Sequence, residues 1–205
     1  NISKQPEWLH RELDQVDCEE LLGCDVLVHL AAHSVQYPFD NLSACLRWNL
    51  SAVIELFEQA RKAGICHFIV AGSCFEYGLS GERYEAIPTD APLEPTNTYA
   101  ASKAASSIAL LQWAEEYQLN LDLLRVFHVY GPGEAESRFW PSLRRAALAG
   151  HDFPMTAGEQ IRDFSKVHDV AKAFLGMAQR VPRNTGVNVY NVGSGCPRTL
   201  LSFAQ

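Results

Sequence analysis

Tyr99 and Lys103 lie four residues apart in the segment TYAASK at 98–103, a spacing that puts both side chains on one face of a helix. An ammonium beside a phenol favours the phenolate and draws its pKa below the free value of roughly 10. Tyr99 is therefore a candidate general acid/base for moving the proton of a hydroxyl or carbonyl group. The same spacing also suits a solvated helix face. Ser73 is a second candidate, because it directly follows the apolar run HFIVAG at 67–72. A hydroxyl at a strand end can donate to a substrate oxygen or simply cap a turn.

The elements that must position these groups follow from hydrophobic patterning. Short apolar runs at 25–32 (DVLVHLAA), 67–72, 121–127 (LDLLRVF) and 187–192 (VNVYNV) predict buried strands. Between them, helical spacing of Leu46, Leu50, Val53, Ile54 and Phe57 predicts one long helix over 41–63. Asn97 or Thr98 can cap a second helix running to 117, and further helices are expected over 141–149 and 168–180. Buried strands joined by helical crossovers imply an α/β fold, a doubly wound parallel sheet covered on both faces. Ligands of such sheets bind beyond the carboxyl ends of the strands. The segments to inspect are thus AAHS at 31–34, SCFEYG at 73–78 and HVYGPG at 128–133.

Composition narrows the classes of function. With 205 residues, 47% of them apolar, the chain is long enough for a substantial core. The net charge is −7 and no Lys/Arg block stands out, which argues against nucleic acid and anionic membrane as partners. No apolar run approaches the roughly 20 residues that span a bilayer. The first residues, NISKQPE, have neither the basic head nor the apolar centre of a signal peptide. Six cysteines are dispersed without a Cys-x-x-Cys, so reduced thiols, a cytoplasmic location and no metal site are expected.

Taken in order, the segments DVLVHLAA (25–32), AGSCFEYG (71–78), YAASK (99–103), RVFHVYGPG (125–133), RDFSKVHDVA (162–171) and YNVGSG (190–195) resemble the extended short-chain dehydrogenase/reductase family, in its nucleotide-sugar epimerase/dehydratase branch. The resemblance spans nearly the whole chain and implies a Rossmann-type sheet. It implies NAD or NADP as cofactor and a nucleotide sugar as substrate. Tyr99 would be the proton-transfer residue, Lys103 would lower its pKa and bond the nicotinamide ribose, and Ser73 would polarise the substrate oxygen. Leu30, Ala31, Ala32, Asn49, Ala71 and Phe127 would join Tyr99 and Lys103 around the cofactor. Arg162 would reach a substrate phosphate, with His128 and Arg138 beside it; for Arg162 a local salt bridge to Asp163 or Asp169 is the alternative. A homodimer through the two long helices is expected by analogy. The implied organisation is a partial dinucleotide-binding domain with the triad at 1–133, a substrate-lobe segment at 134–165, a return to the sheet at 166–192 and the start of a further substrate-lobe segment at 193–205.

Three departures from the family pattern sharpen this expectation. None of the 13 glycines forms the Gly-x-x-Gly-x-x-Gly turn that seats a pyrophosphate, and none precedes Gly23. The chain therefore reads as part of a longer enzyme, and as given it should hold a dinucleotide poorly. Asp14 is a loose match to the acid that contacts adenine. Cys74 and Phe75 stand where the family's 4,6-dehydratases carry an acid pair, and Glu76 comes one residue late. Epimerase or 4-ketoreductase chemistry is thus expected over water elimination. His128 replaces an asparagine near the substrate phosphates. Phe139 and Trp140 can stack a nucleobase or pack the lobe, and Arg144 and Arg145 can add positive potential or form a solvated face. A non-catalytic dinucleotide-sensing or scaffold protein on the same fold is the alternative function.

Overall fold

The computed structural model describes residues 6–180 and 185–205; the N-terminal stretch inspected for a signal peptide begins outside them. Four strands form a parallel sheet in the order β1–β2–β3–β7: β1 Val26–His29, β2 His67–Ser73, β3 Asn120–Val126 and β7 Gly186–Val192. Register runs from Val26 opposite His67 to Ser73 opposite Val126, and from Asn120 opposite Gly186 to Val126 opposite Val192. The alternation of a strand sends Phe68, Val70, Leu121 and Leu123 to one face and Ile69 and Leu124 to the other. The first set closes a core with Val53, Leu56, Phe57, Leu110 and Trp113 from two helices on that face. The second packs on Val170 and Phe174 of a helix across the sheet. Both faces are thus covered, which is why the strands read as unbroken apolar runs.

The expected strand at 25–32 ends at His29, and residues 30–40 carry no helix or strand. The expected helix over 41–63 is three pieces: α1 Leu42–Leu46, a π-helical turn Arg47–Ser51, and α2 Ala52–Lys62. Asn41 caps α1 by accepting the Ala44 amide. The next helix, α3, spans Thr98–Glu116. Of its two possible caps, Asn97 does the work, accepting the Ala100 amide at 2.8 Å, while the Thr98 hydroxyl donates to the Asp40 carbonyl at 2.7 Å. The buried faces of α3 carry Ala100, Ser102, Ala104, Ser106, Ser107 and Ala114, small residues that let it lie close against the sheet and α1.

Beyond β3 the chain builds a second layer at the carboxyl edge of the sheet. β4 (His128–Tyr130) pairs in parallel with β6 (Phe164–Lys166), and β5 (Ile161–Arg162) pairs antiparallel with β8 (Arg198–Thr199). Helices α4 (Phe139–Ala149) and α6 (Leu200–Ala204) complete it, while α5 (Val167–Ala178) is the helix whose Val170 and Phe174 cover the second face of the main sheet. These short strands have no apolar run of their own to announce them. No helix among the described residues is long and apolar enough to cross a membrane.

Candidate active site at the carboxyl ends of the strands

Ser73 is the last residue of β2, and Tyr99 and Lys103 occupy the first turns of α3. All three are buried, with 6%, 9% and 3% of their surfaces exposed. Lys103 Nζ donates to the Ala71 carbonyl at 2.8 Å. An ammonium has three donors, and this is its one side-chain hydrogen bond among the described residues, so two donors remain for a ligand. Burial pulls the Lys103 pKa below its ordinary value, and the charge of Glu76 opposes that shift. Burial pushes the Tyr99 phenol above its ordinary value; a hydrogen bond from Ser73 pulls it down and Glu76 pushes it up. The expectation that Lys103 lowers the Tyr99 pKa is therefore not met in this structure. Its ammonium is directed onto the Ala71 carbonyl, and desolvation of the phenolate dominates.

Asn49 sits in the π-helical turn and is 2% exposed. Its side chain accepts the His33 amide at 2.7 Å and donates to the His33 carbonyl at 3.1 Å and to Ser102 Oγ at 2.9 Å. One amide thus ties the segment after β1 to α3. The extra residue of a π turn re-aims side chains relative to an α-helix, and such turns recur at functional sites. Leu30, Ala31 and Ala32 lie exposed just upstream, with Leu30 60% accessible. Asp14, the loose match to an adenine-contacting acid, has its carboxylate engaged by Arg47. Phe127 links β3 to β4, its amide donating to the Val192 carbonyl at 3.0 Å.

A cleft of about 480 Å³ lies next to the triad, lined among others by Phe39, Phe75, His128, Arg138, Arg162 and Phe164; Ser73, Tyr99 and Lys103 are not in its lining, and it meets Tyr99 through Phe39 and Phe75. Its wall is an aromatic ladder. Phe39 stacks on Tyr99 with ring centres 6.0 Å apart, Phe75 meets Tyr99 at 6.3 Å and His128 at 5.8 Å, and His128 meets Phe164 at 5.8 Å. Burial and the nearby Arg162 lower the His128 pKa to about 4, so its ring is neutral at pH 7, and its buried Nδ1 has no hydrogen-bond partner among the described residues. Phe139 packs on Phe153 and Phe203, and Trp140 on Tyr130, as expected of lobe-packing residues. A larger hollow of about 620 Å³ lies between the 131–134 turn and α4, lined by neither the triad nor the aromatic residues in contact with Tyr99.

The cations of the cleft differ in how free they are. Arg138 is paired with Glu134 at 2.9 Å. Arg162 bonds its neighbour's carbonyl at 2.7 Å and pairs with no carboxylate among the described residues. The local salt bridges considered for it are not what forms. Asp163 instead accepts the amides of Ser194 and Gly195 at 2.7 and 2.8 Å, and Asp169 pairs with Lys172. Arg145 pairs with Glu136 on the surface, and Arg144 is exposed beside it, which fits a solvated face.

Around the triad the acid is not where water elimination needs it. Cys74 has its pKa pushed up to about 12 by burial and stays a thiol. Phe75 is apolar, and Glu76 is wholly buried beneath Ser73, where it pairs with Arg125 at 2.9 Å. That pair went unnoticed in the sequence because its members are 49 residues apart.

The residues present fit the nicotinamide half of a dinucleotide. The spare donors of Lys103 suit ribose hydroxyls, and the exposed chain at residues 30–32 can lie along the cofactor. No glycine-rich turn among the 13 glycines supplies the pyrophosphate seat.

Comparison with known proteins places the chain in a family. The model of the "NAD dependent epimerase/dehydratase family" matches residues 10–193. A dTDP-glucose 4,6-dehydratase of Streptomyces griseus is 27% identical over 177 residues, covering 85% of this chain and 52% of its own. The structure of a UDP-N-acetylglucosamine 4-epimerase from Methanobrevibacter ruminantium M1, in complex with UDP-N-acetylmuramic acid, superposes with a TM-score of 0.81 at 29% identity, over 96% of this chain and 64% of its own. RMD from Pseudomonas aeruginosa, complexed with NADPH, gives 0.82 at 25% identity over 98% and 71%. The chain spans between 44% and 67% of the length of the first curated relatives it matches. With a family match over nine tenths of its length and the Ser73, Tyr99 and Lys103 side chains gathered at one sheet edge, the chain belongs to the NAD dependent epimerase/dehydratase family.

Proposed function

We propose that this chain is the catalytic part of a nucleotide-sugar 4-epimerase or 4-ketoreductase dependent on NAD or NADP. The observation that carries the reading is the convergence of Ser73, Tyr99 and a Lys103 with two unused donors at the carboxyl ends of the strands. Bound nicotinamide supplies the acceptor and donor of hydride. Tyr99 Oη takes the proton of a sugar hydroxyl as the carbonyl forms and returns it as the alcohol re-forms. Ser73 donates to the same substrate oxygen, which favours the state in which negative charge develops there. Lys103 holds the ribose with the donors that Ala71 leaves unused. The raised Tyr99 pKa means that the phenolate needs a further positive charge in the cleft, which the oxidised cofactor brings when bound.

Arg162 is the group best placed to take a diphosphate, because no carboxylate occupies its fork. Neutral His128 and Arg138 stand beside it as secondary donors. Cys74, Phe75 and the buried Glu76 favour epimerisation or reduction over dehydration, since the two residues that follow Ser73 are a thiol and an apolar ring and the acid after them is wholly buried.

The test is nicotinamide absorbance in the full-length protein supplied with UDP- and dTDP-hexoses. An epimerase interconverts C4 epimers with no net cofactor change, whereas a reductase oxidises NADPH or NADH stoichiometrically with a 4-keto sugar. Elimination of water from a nucleotide hexose, seen as a 4-keto-6-deoxy product, would contradict the assignment.

A further inference from the structure

Directly beneath Ser73 lies a polar network that the proton- and hydride-transfer chemistry does not use. Glu76 is wholly buried. Its Oε1 accepts the Ser73 amide at 2.7 Å and its Oε2 accepts Arg125 Nε at 2.9 Å. Arg125 Nη1 donates to the Tyr77 hydroxyl at 3.0 Å and to the Thr89 carbonyl at 2.8 Å. The Tyr77 hydroxyl donates to Asn191 Oδ1 at 2.7 Å, and Asn191 Nδ2 donates to the Ile87 carbonyl at 2.7 Å. The network thus joins the end of β2, β3, β7 and the 87–89 segment.

A buried ion pair of this kind is a weak stabiliser, because desolvation of both charges offsets most of their attraction. What it does here is geometric. Ser73 Oγ accepts the Phe75 amide at 3.2 Å while Glu76 holds the Ser73 amide. These two bonds fix the Ser73 backbone and occupy one lone pair of Oγ, which leaves the hydroxyl proton free for a partner outside its own loop. Gly72 is cut to the same fit: a Cβ there would lie 2.8 Å from Glu76 Oε1 and 3.1 Å from Arg125 Cγ.

We infer that Glu76, held by Arg125, is a positioning residue that aims the Ser73 hydroxyl at Tyr99 and at the substrate oxygen. The inference rests on the Ser73–Tyr99–Lys103 reading above. Glu76 touches neither substrate nor cofactor, so its effect passes through Ser73.

The test must separate aim from charge, because Glu76 also acts on Tyr99 through space. The charged and titrating groups around Tyr99 are Glu76 and Cys74, which raise its pKa, and Arg138, which lowers it together with the Ser73 hydrogen bond. A double-mutant cycle does this, because the charge effect is common to both arms and cancels. A difluorotyrosine is placed at position 99, and its ionisation is followed by fluorine NMR in four proteins: the parent, Ser73→Ala, Glu76→Gln and the double variant. No turnover is required. Ser73→Ala is expected to move the titration to higher pH in the parent, and the size of that move is expected to fall by half or more in the Glu76→Gln background. An equal move in both backgrounds overturns the positioning role and leaves the triad standing. No move in the parent removes the Ser73–Tyr99 contact itself, and the triad reading fails with it. Should Glu76→Gln not fold, Glu76→Asp keeps the charge against Arg125 while withdrawing the carboxylate by one carbon, and the same loss of coupling is expected.

Discussion

Replacing Asn49 by alanine is the sharpest test of how the segment after β1 is held to α3. The side chain makes three hydrogen bonds, two to the His33 backbone and one to Ser102. At about 0.5–1.5 kcal/mol net each, they contribute roughly 2–4 kcal/mol together. The loss divides unequally. Ser102 is fully buried but still donates to the Tyr99 carbonyl at 2.8 Å, so α3 keeps its partner. The 30–40 segment lies at the surface, where water can take up the freed His33 groups. Global stability should therefore fall by only about 1–2 kcal/mol, a urea midpoint lower by roughly 0.5–1 M at an m-value of about 2 kcal/mol/M. Local protection should fall further. Exchange of the His33 amide should accelerate by between one and three powers of ten, at 1.4 kcal/mol per tenfold, while amides in the middle of β2 and β3 follow only the global change. Hydrogen exchange resolved by residue reads both. An unchanged His33 amide alongside a lowered midpoint would refute the reasoning, because it would mean that Asn49 supports the core and not the segment.

Further predictions follow from other parts of the structure. His29 is 4% exposed and its pKa is lowered to about 4 by burial and by Lys103; the unfolded chain, with a value of about 6.5, takes up its proton first. Stability is thus full above pH 6.5 and is lost as pH falls toward 4, by roughly 3 kcal/mol from this group, and urea midpoints measured against pH should lose that slope in His29→Leu. Gly72→Ala places a methyl against Glu76 and Arg125 and should destabilise by about 1–3 kcal/mol in urea unfolding. Arg162→Met should weaken UDP binding by roughly 10- to 100-fold in calorimetry while leaving uridine binding unchanged, since the guanidinium has no ion pair among the described residues to lose.

The sheet was legible because its strands are buried on both faces. An apolar run such as 67–72 needs no alternation to be seen, and each of the four predicted strands is present. The helix over 41–63 was legible as amphipathic but not as interrupted. A π turn shifts the register by a single residue, and the spacing of Leu46, Leu50, Val53, Ile54 and Phe57 tolerates that. Chemistry-bearing residues close in sequence, such as Tyr99 and Lys103, were visible from their spacing. Pairs brought together by the sheet were not. Glu76 and Arg125 become neighbours only because Ser73 pairs with Val126 in register, and the His67–Asp122 pair at the other end of β2 and β3 arises the same way. Nor could spacing reveal where Lys103 points. Its target, the Ala71 carbonyl, belongs to a backbone group 32 residues away. The two- and three-residue strands of the second layer stayed hidden because they are too short to carry a period.

The central claim is that Tyr99 moves the substrate proton while hydride passes between sugar and nicotinamide. Single-turnover nicotinamide absorbance in the full-length protein, comparing the parent with Tyr99→Phe, tests it directly. The phenyl ring keeps the stack on Phe39 and the edge-on contact with Phe75, so the fold and cofactor binding should persist while hydride transfer falls by at least about 100-fold, the lower end of what general acid–base catalysis contributes. Near-parental transfer in a folded, cofactor-binding Tyr99→Phe protein would contradict the account.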